Sequence, residues 1–180
     1  YTVTASVGTA PNICTDTFDI TVTVNPKPSI ADVTQAICTG NTFTVTPTNT
    51  APDVVPTGTT YTWTVTTPAG ITGALNQATA QTSISQTLSN STSSSIVVTY
   101  TVTASFGTAP NVCTDTFTIA VTVNPEPSIA DVVQTICSGD TFTVTPTNTA
   151  PDVVPTGTTY TWTVAAAAGI TGASNQATGQ

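Results

Sequence analysis

The chain has 180 residues and a net charge of −8, with nine acidic side chains set against the single Lys27 and no His, Met or Arg. That balance excludes a grip on nucleic acid or on an anionic membrane, both of which need clustered Lys and Arg. Threonine supplies 47 residues and 38% of the chain is apolar at strand spacing, so the composition describes ordered β structure and not a disordered polar chain.

Self-similarity dominates the sequence. Tyr1-Thr-Val-Thr-Ala-Ser returns as Tyr100-Thr-Val-Thr-Ala-Ser, and Cys14, Cys38 and Trp63 return as Cys113, Cys137 and Trp162, always 99 residues later. Residues 1–81 and 100–180 agree at 67 of 81 positions without a gap. A unit of 99 residues is one ordinary domain. Tyr1 and Gln180 both fall inside a copy, and no apolar run is long enough to be a leader or to span a bilayer. The expectation is therefore a window on a longer array.

Taken in order, residues 1–25 read as the last two strands of a preceding repeat. Asn25-Pro26-Lys27-Pro28 follows as a stiff linker, because two prolines around one residue hold extended geometry and cannot donate to a ladder. Residues 26–124 read as one complete repeat, with strands A to G expected near 29–37, 42–48, 60–67, 70–75, 82–89, 96–105 and 114–123. Phe43 and Val45, then Tyr61, Trp63 and Val65, alternate with threonine, as do Tyr100 and Val102 and, largely, Phe117, Ile119 and Val121. Each run has one large apolar face and one mostly threonine face, the pattern of antiparallel sheets that are wet on one side. Asn124-Pro125-Glu126-Pro127 is the next linker, and 125–180 reads as the first half of the following repeat. Seven short strands in about a hundred residues predict an all-β, immunoglobulin-like antiparallel β-sandwich. Its core is expected to hold Phe43, Tyr61, Trp63, Tyr100 and Phe117, with Trp63 at the centre.

These runs also carry a resemblance. Ile37-Cys38-Thr39-Gly40-Asn41-Thr42-Phe43-Thr44-Val45-Thr46-Pro47, Thr60-Tyr61-Thr62-Trp63-Thr64-Val65, Ile84-Ser85-Gln86-Thr87-Leu88, Val98-Thr99-Tyr100-Thr101-Val102-Thr103 and Phe117-Thr118-Ile119-Ala120-Val121-Thr122-Val123-Asn124-Pro125 resemble the PKD-like, immunoglobulin-fold repeats of Bacteroidota surface proteins. The resemblance implies secretion to the cell surface, often by the type IX route, in giant adhesins that include gliding adhesins. It brings no catalytic residues. The ten-residue stretch Asn49–Gly58 is longer than the family's B–C connection. The expected role is a structural repeat of an extracellular filament or stalk, with neighbouring repeats and other filament chains as partners. The alternative is that the repeats themselves bind surface polysaccharide or ice through their threonine faces. A cross-β fibre is opposed by the prolines and by the 99-residue period.

Candidate sites are few. Without His, and with Asp32, Asp53 and Asp115 standing singly, no carboxylate pair or base is apparent, and these residues read as solvated surface. Asp16 and Asp19 are near one another, but the second copy puts Thr118 at the position of Asp19. No enzyme, cofactor or metal is expected. Calcium would have only Asn25 with Asp32, or Asn124 with Asp131, as linker ligands, too few oxygens for that ion. An isopeptide cross-link would need a buried lysine, whereas Lys27 lies in a linker and is Glu126 in the next copy. Candidate glycan acceptors are Asn90 in Asn90-Ser91-Thr92, and Thr17, Thr116 and Thr141 in Asp-Thr-Phe triplets.

The four cysteines, Cys14, Cys38, Cys113 and Cys137, supply one pair per repeat, which in a secreted β protein argues for disulfides. Cys38 belongs to the A–B turn and Cys113 to the F–G turn, at opposite ends of the expected sandwich. The expected pairing therefore links successive repeats, with Cys38–Cys113 inside 26–124 as the alternative.

Overall fold

The structure is a computed structural model that describes residues 1–165 and 167–180. Period-2 alternation is realised most fully in two long strands, β10 (Ile96–Phe106) and β11 (Cys113–Asn124), which form one antiparallel hairpin. Their inward residues, Val98, Tyr100, Val102, Ala104, Ile119, Val121 and Val123, are fully buried, with Phe117 nearly so. The residues between them are mostly threonine and face water. This hairpin is the centre of a five-stranded sheet in the order β3-β11-β10-β5-β7, with β3 at Val33–Cys38, β5 at Thr60–Val65 and β7 at Gln77–Gln81.

Facing it are two short antiparallel pairs, β4 (Thr42–Val45) with β8 (Ile84–Thr87), and β6 (Ile71–Thr72) with β9 (Ser89–Asn90). Phe43 of β4 meets Tyr100 of β10 with ring centroids 5.2 Å apart, which joins the two layers. Tyr61 and Phe117 meet edge to face at 6.4 Å across β10, where Ala104 stands opposite Tyr61 with only a methyl group. Edge-to-face pairs add about 0.5–1.5 kcal/mol beyond their burial. Among the described residues the buried aliphatic and aromatic side chains all lie from Ile30 to Val123, with only the linker prolines Pro28 and Pro125 buried beyond them, so the repeat encloses its own core.

The polar tips inside this core share one anchor. Gln86 grips the Leu75 backbone at both groups, its Nε2 donating to Leu75 O (2.7 Å) and its Oε1 accepting from Leu75 N (3.1 Å). The Trp63 indole N–H also donates to Leu75 O (3.1 Å), and the Tyr100 hydroxyl donates to Gln86 Oε1 (2.8 Å). Trp63 is thereby 6% exposed with its ring nitrogen satisfied, as a buried indole requires.

Three features differ from the sequence expectations. First, the sheets are mixed: β3 runs parallel to β11, with Val33 opposite Ile119 and Cys38 opposite Asn124. Both strands run from the incoming linker to the outgoing one, so as neighbours they must point the same way. Second, the strand expected at 29–37 is split: Ser29 bridges to Val54, and the ladder resumes only at Val33. Third, β7 was not expected. Gln77-Ala-Thr-Ala-Gln81 has no apolar alternation and lies on a sheet edge beside β5, pairing at Gln81 with Tyr61 and at Gln77 with Trp63.

The flanking segments are less regular. β1 (Thr2–Thr9) and β2 (Asn12–Asp19) form a hairpin that repeats the β10–β11 register, with Val7, Ile13 and Phe18 exposed. In 125–180 only bridges form among the described residues, Ser128 with Val153 and Trp162 with Gln176. Phe142 and Trp162 are 63% and 47% exposed, against 1% and 6% for their equivalents Phe43 and Trp63. The local sequence is nearly the same; what differs is that 26–81 packs on β10 and β11, and 125–180 packs on no counterpart of them.

Trp63→Ala removes the large indole and frees two layers from each other, and should cost about 3–5 kcal/mol in a denaturant titration. Burial also pushes the Tyr100 phenol up from 10.0 to about 12. Below pH 10 both folded and unfolded states keep it protonated. Between pH 10 and 12 only the unfolded state ionises, so stability should fall there by an amount on the order of 2–3 kcal/mol. Tyr100→Phe should abolish that part of the alkaline loss, read by unfolding at a series of pH values.

Candidate functional site

The polar contacts of this repeat concentrate at its two poles, where linkers enter and leave. At the incoming pole two carboxylates hold the stretch before β3 by its backbone, and a third, on that stretch, holds the backbone of β11. Asp115 Oδ2 accepts from Ile30 N (3.1 Å), Asp53 Oδ1 from Ala31 N (3.0 Å), and Asp32 Oδ1 from Thr118 N (2.6 Å). Asp115 also stands 4.0 Å from Lys27 Nζ, with the lysine end largely in solvent. Asp32 is exposed and Asp53 and Asp115 are half-buried, so these residues are surface carboxylates that also act as clamps. Pro28 and Ile30, on either side of Ser29, are buried beside them.

The Asn49–Gly58 loop belongs to the same pole. Asn49 Oδ1 accepts from Val55 N (3.0 Å), the Thr59 hydroxyl donates to Pro56 O (2.7 Å), and Val54 pairs with Ser29. The second copy builds the loop identically: Asn148 Oδ1 accepts from Val154 N (3.1 Å), and Asp152 Oδ1 from Ala130 N (2.9 Å). There the Asn148 amide also reaches Ser93 Oγ of the complete repeat (2.8 Å), a direct contact across the linker. That the carboxylate of Asp53 recurs 99 residues on as Asp152, each clamping one backbone amide, is the signal that could have marked it.

The F–G turn completes the incoming pole. Gly107 has φ +104, and a Cβ there would come within 2.6 Å of Asn111 O, so the tight turn requires glycine. It presents Asn111 O to the Asn25 amide (3.4 Å) and the Cys113 thiol to Asn25 O (3.8 Å). At the outgoing pole Thr39 N donates to Asn124 O (2.8 Å), and Ser95 Oγ donates to Asn124 Oδ1 (2.8 Å). Asn25 and Asn124 are the same residue of successive copies.

Cys14, Cys38 and Cys137 are exposed and Cys113 is half-buried, all four as thiols. Cys38 and Cys113 sit at the two ends of the 12-residue β11 and are not brought together. Asn90 is buried and its amide is fully used. Nδ2 donates to Ser94 O (2.8 Å) and Val123 O (2.9 Å), while Oδ1 accepts from Thr92 N (2.9 Å) and the Thr92 hydroxyl (2.8 Å). Both amide hydrogens are thus engaged inside the fold, and a glycan on Nδ2 would have to displace one of these bonds. Thr17, Thr116 and Thr141 are exposed. Among the described residues no three His, Cys, Asp or Glu side chains cluster so as to hold a metal ion.

The outer face of the large sheet carries ordered hydroxyls. Register places Thr64, Thr101 and Thr118 in one row across β5, β10 and β11, and Thr62, Thr103 and Thr116 in the next. Thr60, Ser105 and Thr114 make a third.

The model of the PKD-like domain matches residues 35–127, which runs from β3 to the outgoing linker. The chain belongs to the PKD-like domain family. No curated protein matches it. PKD-like domains are common in extracellular and surface proteins and are typically non-catalytic, and the mixed β-sandwich described here is the corresponding fold.

Charge-assisted bonds to backbone amides contribute about 1.5–3 kcal/mol each. Asp53→Ala and Asp115→Ala should each destabilise the domain by roughly that amount, measured by chemical denaturation. Asp16→Ala, whose carboxylate reaches only the adjacent Thr17 N on the exposed hairpin, should cost less than about 0.5 kcal/mol.

Proposed function

We propose that this PKD-like chain is part of an extracellular stalk, in which successive repeats stack end to end and project an adhesive surface from a bacterial cell. The observation that carries this is the pair Asn25 and Asn124. Each linker asparagine is hydrogen-bonded to the pole of the domain it adjoins, by Asn111 on the incoming side and by Thr39 and Ser95 on the outgoing side. A linker bonded to the pole it adjoins at either end, and stiffened by two prolines, transmits orientation from one repeat to the next. The 67 identities in 81 positions between copies support the same reading, since a spacer benefits from every copy while a single ligand site does not. The resemblance to Bacteroidota adhesin repeats supports type IX export to the cell surface, with neighbouring repeats and other filament chains as partners.

The threonine grid supports a second reading, in which the repeats bind polysaccharide or ice through the Thr62–Thr118 face. Sheet twist works against a flat lattice match. An isolated repeat tested on glycan arrays and for thermal hysteresis should show neither specific retention nor activity; strong retention by one glycan class would transfer the function to that face. A chain of tandem repeats should lengthen linearly in small-angle scattering, by about 40 Å per copy from the length of β11. A radius that grows as a flexible coil would remove the stalk.

A further inference from the structure

We propose that disulfides join successive repeats, each one linking the A–B cysteine of one repeat to the F–G cysteine of the next, beside the asparagine of the linker between them. This rests on the stacked-array reading above. At the incoming linker the Cys113 thiol donates to Asn25 O at 3.8 Å. At the outgoing linker Cys38 is the register partner of Asn124, and the next amide, Thr39 N, donates to Asn124 O at 2.8 Å. Asn25 and Asn124 are equivalent positions of the 99-residue period. Superposing the two ends gives one carbonyl oxygen approached from both sides. The repeat before it supplies Thr39 N–H and, one residue away, Cys38; the repeat after it supplies the thiol equivalent to Cys113. Contacts of 3.8 Å and 2.8 Å meeting at one oxygen place these cysteines side by side at the linker, and a disulfide there requires their Cα atoms to settle within about 7 Å.

The bond inside one repeat fails on the same register. Cys38 lies opposite Asn124 and Cys113 begins β11, so they are about 35 Å apart at ~3.3 Å per residue. In a continuing array Cys38 pairs with the F–G cysteine of the repeat that starts at Pro125, and Cys113 with the A–B cysteine of the repeat before Pro26. Cys14 and Cys137 are the same two positions one repeat to either side. The exposed Cys38 and half-buried Cys113 are both open to exchange. The step oxidises two thiols to one disulfide, with two protons and two electrons passing to a thiol–disulfide oxidant that leaves as two thiols.

Residues 26–124 enclose their own core, so three copies in tandem make a valid test protein. After oxidation by glutathione disulfide and alkylation in denaturant, intact mass should show two disulfides and two alkylated thiols, the thiols mapping to the first F–G and last A–B cysteines. Cys38→Ser in the middle copy should remove one bond only and free its partner. Three disulfides with no free thiol would mean bonding within repeats and overturn the proposal. Six thiols alkylated in an array that small-angle scattering finds extended would also overturn it while leaving the stalk intact. Six thiols in a flexible coil would end both.

Discussion

Two long strands must come together before anything else in this repeat is well placed. β10 and β11 carry the inward row from Val98 to Ala104 and from Phe117 to Val123, which is the floor on which Phe43, Tyr61 and Trp63 pack. The chain contains its own comparison. Where 26–81 lies on that floor, Phe43 and Trp63 are buried and β4 and β5 form ladders; where nearly the same sequence recurs at 125–180 without it, Phe142 and Trp162 are exposed and among the described residues only bridges form. Strand propensity from threonine and aromatics is present in both copies. Burial against a partner layer decides whether it is expressed.

The poles follow from the same pair of strands. β11 runs the length of the domain, so its two ends define where the linkers lie, and the parallel partner β3 returns to the outgoing end at Cys38. Asp32 and Asp115 then tie the stretch between linker and β3 to β11, and Asp53 ties it to the Asn49–Gly58 loop. With one cation in the sequence, carboxylates here meet amide N–H groups as their hydrogen-bond donors, a use of acidity that does not require counter-charges. The result is a domain whose polar chemistry is directed along its long axis.

Much of this was legible in the sequence, and what was not has a physical cause. Alternation of large apolar residues with threonine marked β4, β5, β10 and β11, because those strands bury one face. β7 lies on an edge and is held by backbone bonds, so Gln77-Ala-Thr-Ala-Gln81 leaves no periodic trace. The parallel β3–β11 pair depends on which strands become neighbours, which periodicity along one strand does not encode. The clamping aspartates looked like isolated charges, since their partners are backbone amides contributed from 22 to 86 residues away, and any residue type supplies those. Asn90 shows the converse: its sequon was plain, yet its amide is committed to Ser94 and Val123 within the fold.

Near-identity between copies has a cost in assembly. The hairpin of residues 2–19 and its equivalent at 101–118 are close to interchangeable, so a given β4–β5 surface cannot tell its own hairpin from a neighbour's by side-chain shape. Order of appearance resolves the ambiguity. A repeat emerging from its N-terminal end presents β4 and β5 first and its own β10–β11 hairpin next, before any later copy exists to compete. A chain returned from full denaturation has all copies at once, and exchange of hairpins between repeats becomes a trap whose population grows with their number. The N-to-C order in which the chain is made therefore serves as proofreading that the amino-acid sequence itself does not supply.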